Sequence, residues 1–316
     1  MTTRRPVAPL LSIVTVIHDS EAALERLLRS IEVHLDPAPE LVVVDSGSSD
    51  AGAALAAQRG ARVLSLDGNP GYGPANNVGL ASARGDVAVL LNPDTELIDG
   101  SLMKLVARAR ARDALFAGAL IGPDGRTQKT AHPTPGAVGT LAWALAPTGA
   151  LPRALRERSE PWRAWSEREV GWAIGACLAG RSGTLRSLGP FDPDAFLFYE
   201  DLDLCLRARR AGVPTMLVPE VRLRHEGAHA TGRVYGGEPY LLLARRRREV
   251  VAGVLGDQAL RIDDLAQGLT FLTRAVAHAA LGHDARAPAA RLRALREVRR
   301  EARRGGRGST TQNRPS

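Results

Sequence analysis

Four polar clusters in this sequence carry the residues best suited to chemistry, and three of them directly follow an apolar run. Asp45 closes the run LVVV and opens a Ser/Gly turn that ends at Asp50. A carboxylate placed there can accept from the N–H of a nucleobase. Turn or cap chemistry is the alternative, and it is stronger for Asp50, which directly precedes a helix-like stretch. Gly71, Gly73, Asn76 and Asn77 lie in NPGYGPANN, residues 69–77. This reads as a loop whose backbone can approach a diphosphate closely, or as a tight turn before a helix. Asn92 and Asp94 follow another apolar run as Asn-Pro-Asp. Asp94 offers a hard oxygen to Mg2+ or Mn2+ carried on a diphosphate, with turn chemistry after Pro93 as the alternative.

The last cluster is acidic. Glu200, Asp201 and Asp203 crowd the start of a helical pattern, behind Phe196, Phe198 and Tyr199. Helix N-termini favour carboxylates, so capping explains some of them. An acidic edge beside an apolar wall also suits a general base. Further on, His225 stands near Glu226 and His229 and can complete a metal site with Asp94, although a lone histidine is more often structural.

In an open α/β sheet, ligands bind beyond the carboxyl ends of the strands. The hydrophobic pattern predicts strands at 10–17, 41–44, 62–66 and 87–91, and helices at 21–34, 50–59 and 74–83. Asp19 or Ser20 can cap the first helix. Strand-helix alternation at this spacing means a parallel α/β sheet. A helix to about residue 112, a strand at 115–121, an irregular stretch at 131–169, a strand at 170–178, a helix at 198–211 and a strand at 213–218 follow. Beyond residue 239 the pattern is helical, at 240–255, 265–281 and 289–304, with a polar tail at 305–316 read as disordered.

The chain has 316 residues, 44% hydrophobic and 24% charged, which is ordinary for a globular protein and enough for a sizeable core. Its net charge of +8 is almost all arginine, Lys104 and Lys129 being the only lysines. Such a balance fits an anionic partner: nucleic acid, lipid headgroups or a diphosphate. Cys177 and Cys205 sit in apolar segments and read as small buried hydrophobes in a reducing compartment. The first nine residues lack the pattern of a signal peptide. The longest apolar stretch, 137–151, is broken by Gly139, Pro147 and Gly149 and is too short to span a membrane. The expectation is a cytoplasmic protein, or one held peripherally at the cytoplasmic face of the inner membrane.

Taken together and in order, VDSGSSD (44–50), NPGYGPANNVG (69–79), LNPD (91–94), GAC (175–177) and the stretch from Gly189 through YEDLDLC to Arg207 resemble family 2 glycosyltransferases of GT-A fold. HEGAHATGR (225–233) and VGW (170–172) resemble bacterial rhamnosyltransferases, in particular the polyprenyl-diphosphate-GlcNAc rhamnosyltransferases. The resemblance runs from about Ser12 to Arg233. It implies a mostly parallel, Rossmann-like sheet with flanking helices, and inverting, metal-dependent transfer from a nucleotide-sugar. The favoured donor is dTDP-rhamnose, with a UDP-hexose as the alternative; the acceptor is a glycan or lipid-linked saccharide.

It further implies that Asp45 and its neighbours bind the donor and that Asp94 and His225 hold Mg2+ or Mn2+. Asp201 would be the base, with Glu200 orienting it or binding acceptor. Asn92 stands where the family's Asp-x-Asp begins, so one acid is replaced. Trp172 and Gly175 either line the acceptor pocket or belong to a core strand. The implied organisation is a transferase domain at 1–233, a basic helical appendage at 234–304 and the tail.

The arginines at 245–248 and along 291–304 give that appendage a basic face, either solvated or docked on an anionic membrane. No nucleic-acid-binding motif accompanies them. A nicotinamide dehydrogenase is set aside because no Gly-x-Gly-x-x-Gly joins the first strand and helix. A non-catalytic sugar-nucleotide scaffold is disfavoured by the intact set Asp94, Glu200, Asp201 and His225.

Overall fold

The computed structural model describes residues 10–145, 152–189, 191–192, 197–227 and 239–308. Asp194, Phe196, His229, Arg233, the first nine residues, 146–151 and 309–316 therefore lie outside the described residues. The chain divides into two compact units, Met1–Thr134 with Glu160–His229, and Pro135–Ser159 with Ala230–Ser316.

The first unit is built on a nine-stranded sheet. β1 (Leu11–Ile17) is buried at every position, as a β-branched run covered on both faces should be. α1 (Glu21–His34) follows, burying Leu24, Leu27, Leu28 and Ile31 at helical spacing. Then come β2 (Glu40–Asp45), α2 (Gly52–Gln58), β3 (Arg62–Ser65), α3 (Tyr72–Ser82) and β4 (Val87–Leu91). The strands run parallel in the order β3-β2-β1-β4.

The remaining elements are β5 (Thr95–Leu97), α4 (Leu102–Ala111), β6 (Leu115–Ile121), β7 (Ala131–His132), then, after α5 (Gly139–Leu145) and α6 (Arg153–Ser159) of the second unit, β8 (Arg168–Val170), β9 (Trp172–Ala173), β10 (Cys177–Arg181), α7 (Ser182–Ser187), α8 (Glu200–Arg210) and β11 (Thr215–His225). β10 lies antiparallel between β4 and β6, β11 runs parallel to β6, and β5 and β8 pair antiparallel with β11. The core between sheet and helices is aliphatic, with Ile13, Leu91, Leu105, Phe116 and Leu223 almost fully buried.

Several boundaries differ from the pattern-based expectation for identifiable reasons. The expected strand at 170–178 is split: β8 and β9 belong to different sheets, and β10 starts only at Cys177. Gly171 lies at the break, so close to the Thr134 backbone that a Cβ would meet its nitrogen at 2.0 Å. β11 does not stop at Pro219 but resumes after an irregularity between Val218 and Arg222 and reaches His225. α3 begins at Tyr72, so Gly73, Asn76 and Asn77 are helical rather than part of an open loop. Neither Asp19 nor Ser20 caps α1; Asp50 does, its Oδ2 accepting from the Glu21 N–H at 2.8 Å.

The second unit is helical: α5 (Gly139–Leu145), α6 (Arg153–Ser159), α9 (Tyr240–Ala280) and α10 (Arg286–Gly308). α9 breaks at Gly256, whose φ of 84° and ψ of 175° suit glycine and fold the helix into a hairpin. Arg247 then meets Asp263, sixteen residues on, through two bonds of 2.9 and 2.8 Å, and Arg248 pairs with Asp264. Both aspartates are buried and need these countercharges. Arg245 pairs with Glu301 and Arg246 with Glu249. The run 245–248 is therefore spent on internal ion pairs and does not form the basic face expected of it. Arg291, Arg293, Arg296, Arg300, Arg303 and Arg304 on α10 are exposed. Among the described residues no helix is long and apolar enough to cross a membrane.

Candidate active site

The polar clusters gather beyond the carboxyl ends of β1, β2 and β4. Asp45 ends β2, nearly buried, with Oδ1 accepting from the Ser48 N–H at 3.0 Å. Its loop is held from below: His18 Nδ1 lies 2.8 Å from the Ser46 carbonyl, and Asn69 Oδ1 accepts from Ser46 Oγ and the Gly71 N–H. Asp50 has a different part. Its two oxygens accept from the first N–H groups of α1 and α2, at Glu21 and Gly52, so the capping alternative describes it.

Gly71 precedes α3 with φ 102°. Gly73 is a packing glycine, since a Cβ there would lie 2.9 Å from Cβ of buried Phe191. Asn76 is buried and donates to the Tyr72 carbonyl. Asn77 holds Phe191 from both sides, donating to its carbonyl and accepting from its N–H, each at 2.8 Å. Both asparagines are thus engaged within the fold, at Tyr72 and Phe191. From the other side Arg207 donates to the Leu188 and Gly189 carbonyls and pairs with Asp203, which leaves Asp203 structural.

β4 and β10 bring the remaining residues together. Cys177 sits opposite Leu91, and the Asn92 N–H donates to the Ala176 carbonyl. The neighbouring Gly175 N–H donates to Asp201 Oδ2 at 3.0 Å, while the Leu202 N–H reaches Oδ1. α8 starts here after two consecutive left-handed residues, Phe198 (φ 75°) and Tyr199 (φ 62°), a strained backbone that delivers Glu200 and Asp201 at a helix N-terminus. Burial pushes the Asp201 carboxyl up to about 6, against the pull of the two N–H groups. Tyr72 donates to the Gly175 carbonyl, and its own hydroxyl is pushed far up by burial and by the negative fields of Glu200, Asp201 and Asp94. Tyr72 therefore marks the point around which the three carboxylates converge. It stands inside the glycine-rich motif and would have been the residue to single out there.

Asp94 lies on the β5 side. His225, paired with Thr95 across β11 and β5, turns Nε2 to within 3.4 Å of Asp94 Oδ1. The Gly227 N–H donates to Asp94 Oδ2. Burial alone would raise the Asp94 pKa, but His225 and the Gly227 N–H outweigh it and hold the carboxyl below its ordinary value. Asn92 Oδ1, two residues before Asp94 in the chain, is buried without a hydrogen-bond partner. Among the described residues no three His, Cys, Asp or Glu side chains cluster closely enough to hold a metal by themselves. Trp172 is buried, stacked on His132 at 4.2 Å and edge-on to Tyr199, with an indole N–H that has no partner. Both cysteines are buried and free.

A sheet ordered β3-β2-β1-β4, with carboxylates converging past its strand ends, is the arrangement of an α/β protein that binds its ligand at the carboxyl ends of its strands. The chain belongs to glycosyl transferase family 2, whose family model matches residues 12–165. It is 33% identical over 244 residues to the N-acetylglucosaminyl-diphospho-decaprenol L-rhamnosyltransferase of Mycobacterium tuberculosis, covering 71% of this chain and 78% of that protein. Among solved structures, the fold matches a mannosyltransferase from Pyrobaculum calidifontis in complex with GDP-Man and Mn2+, with a TM-score of 0.57 at 15% identity over 93% of this chain and 86% of that one. It also matches S. aureus TarS in complex with UDP-GlcNAc, with a TM-score of 0.54 at 16% identity over 93% and 92% of the two chains.

Proposed function

We propose that this glycosyltransferase is inverting and metal-dependent, and moves L-rhamnose from dTDP-rhamnose to a polyprenyl-diphosphate-linked saccharide. The donor and acceptor rest on likeness to the mycobacterial enzyme. The mechanism rests above all on one observation: a buried carboxylate, Asp201, held by the Gly175 N–H with its pKa raised to about 6. Asp201 takes the proton of the acceptor hydroxyl. The hydroxyl oxygen attacks the anomeric carbon as the bond to the diphosphate oxygen breaks on the opposite face, so configuration inverts. Asp45 keeps one carboxylate oxygen for a base N–H, and Trp172 offers its unpaired indole N–H on the acceptor side. Glu200, buried at the first turn of α8, orients Asp201 or the acceptor.

The residues present fit a divalent cation. Asp94 and His225 supply one oxygen and one nitrogen, the orphaned Asn92 Oδ1 lies two residues before Asp94 in the chain, and the rest of the shell is left to phosphate oxygens and water, as Mg2+ and Mn2+ prefer. Bound there, the cation would supply positive charge to offset the departing diphosphate. We also take the second unit to dock the enzyme on an anionic membrane surface at the cytoplasmic side, through exposed apolar and arginine side chains.

The test is nucleotide release by the purified protein with Mg2+ or Mn2+, offered dTDP-rhamnose or UDP-hexoses, with and without a lipid-diphosphate-GlcNAc acceptor. Acceptor-stimulated dTDP release, abolished in Asp201→Asn, is expected. Release from a UDP-sugar alone would overturn the donor and keep the mechanism; release unaffected by Asp201→Asn would overturn the base.

A further inference from the structure

Gln128 is a neutral side chain that no motif pointed to, and it holds His225 at two points. Its Nε2 donates to the His225 carbonyl at 2.9 Å, and its Oε1 lies 2.7 Å from His225 Nδ1. The carboxamide cannot be reversed without setting its oxygen against a carbonyl oxygen, so Oε1 must be the group that faces the ring. An acceptor facing Nδ1 requires a proton there. In the neutral ring Nε2 then carries the lone pair, and Nε2 is the atom turned toward Asp94 at 3.4 Å.

Gln128 is itself fixed. Its N–H donates to the Leu120 carbonyl at the end of β6, in the hairpin where the Gly122 N–H meets the Arg126 carbonyl. The β6–β11 register sets Ile121 opposite Arg224, which brings the hairpin beside His225. Nε2 facing a carboxylate at this distance needs positive charge between them, either a proton on Nε2, as in an ion pair with Asp94, or a cation in its place.

We infer that Gln128 is a positioning residue, which fixes His225 in the Nδ1–H tautomer and so presents Nε2, with Asp94, to a divalent cation. The inference rests on the proposed metal site, and the experiment separates the two. The ring nitrogens of His225 are read by 15N NMR at a pH where the ring is neutral, without metal, and assigned by their loss in His225→Ala. Mn2+ binding is followed in parallel by EPR of the free ion.

In the parent protein the Nδ1–H tautomer is expected. In Gln128→Leu, which keeps the volume and removes both bonds, a mixture of tautomers and Mn2+ binding weaker by about 10–100-fold are expected. Gln128→Glu keeps the acceptor facing Nδ1 while losing the donor to the His225 carbonyl, so it should restore the Nδ1–H tautomer that Gln128→Leu loses, which a merely structural role would not produce. An unchanged tautomer in Gln128→Leu, with the fold intact by circular dichroism, overturns the inference whatever Mn2+ does. A shifted tautomer in a protein whose parent binds no Mn2+, or whose Asp94→Asn variant binds it equally well, upholds the positioning role and overturns the metal site instead.

Discussion

Asp201 is the residue whose chemistry is most exposed to a pH measurement. Its carboxyl is raised to about 6 chiefly by burial, so the ionised form that can accept a proton is lost as pH falls through that value. Log kcat/KM should rise with unit slope below pH 6 and level off above it. Asp201→Asn should lower kcat by about 100-fold or more while leaving nucleotide binding within a few-fold, since general-base contributions are typically of that size. A flat profile between pH 5 and 8 would remove Asp201 from the role.

Tyr72 acts one step back. It donates to the Gly175 carbonyl, and Gly175 in turn donates to Asp201. Tyr72→Phe removes the hydroxyl and keeps the ring against Phe191. A loss of about 3–30-fold in kcat is expected, with the acidic limb of the profile displaced because one of the two N–H donors to Asp201 is loosened. An unmoved limb would confine Tyr72 to packing.

At the scale of elements, the site depends on α3 and α8 being locked to the segment between α7 and α8. Asn77 supplies two bonds to the Phe191 backbone, and Gly73 leaves Phe191 just enough room. Asn77→Ala leaves a donor and an acceptor unmade and should cost about 1–3 kcal/mol of unfolding free energy. Gly73→Ala pushes on a ring whose backbone is clamped and should cost a similar ~1–3 kcal/mol. Both are checked by urea denaturation. A loss below ~0.5 kcal/mol in both would mean that the clamp contributes little.

These same residues mark where sequence reasoning reached its limit. The strands β1, β2, β4 and β6 and the helix α1 were legible because buried parallel strands are continuous apolar runs and α1 carries a clear 3.6-residue stripe. The family motifs implied that Asp94 and His225 share a site, and the two side chains lie 3.4 Å apart. Illegible were contacts set by long-range pairing. Asn76 and Asn77 fall inside the helix expected at 74–83, but the hydrogen bonds to Tyr72 and Phe191 that engage them are not written in any local pattern. The strand expected at 213–218 stops short of Pro219, but β11 passes it with an irregularity and continues to His225. Gln128 lies 97 residues from its partner, a distance no local pattern spans.

At the scale of the whole molecule, the second unit carries a surface that the fold does not use. Leu265, Leu272 and Val276 are 51%, 43% and 60% exposed and, seven and four residues apart, share one face of α9 beyond Gly256. α5 packs on α9 through the Thr273 hydroxyl and the Ala144 carbonyl, and Leu145 at its end and Val138 just before it are exposed as well. The exposed arginines of α10 belong to the same unit. An anionic bilayer offers both apolar depth and opposite charge to a unit that exposes both kinds of side chain. Vesicles of phosphatidylcholine with about one-third phosphatidylglycerol should therefore bind the protein, less so as salt rises, because each arginine near such a surface contributes about 1 kcal/mol and is screened within a Debye length. Replacing Leu265, Leu272 and Val276 together by serine should weaken binding by at least about 10-fold, since even one methylene-rich side chain buried is worth more than 1 kcal/mol. It should do so with unchanged turnover of a short, water-soluble acceptor. If the triple variant binds vesicles like the parent, or if the parent loses a dimer when these residues are changed, the face serves another partner.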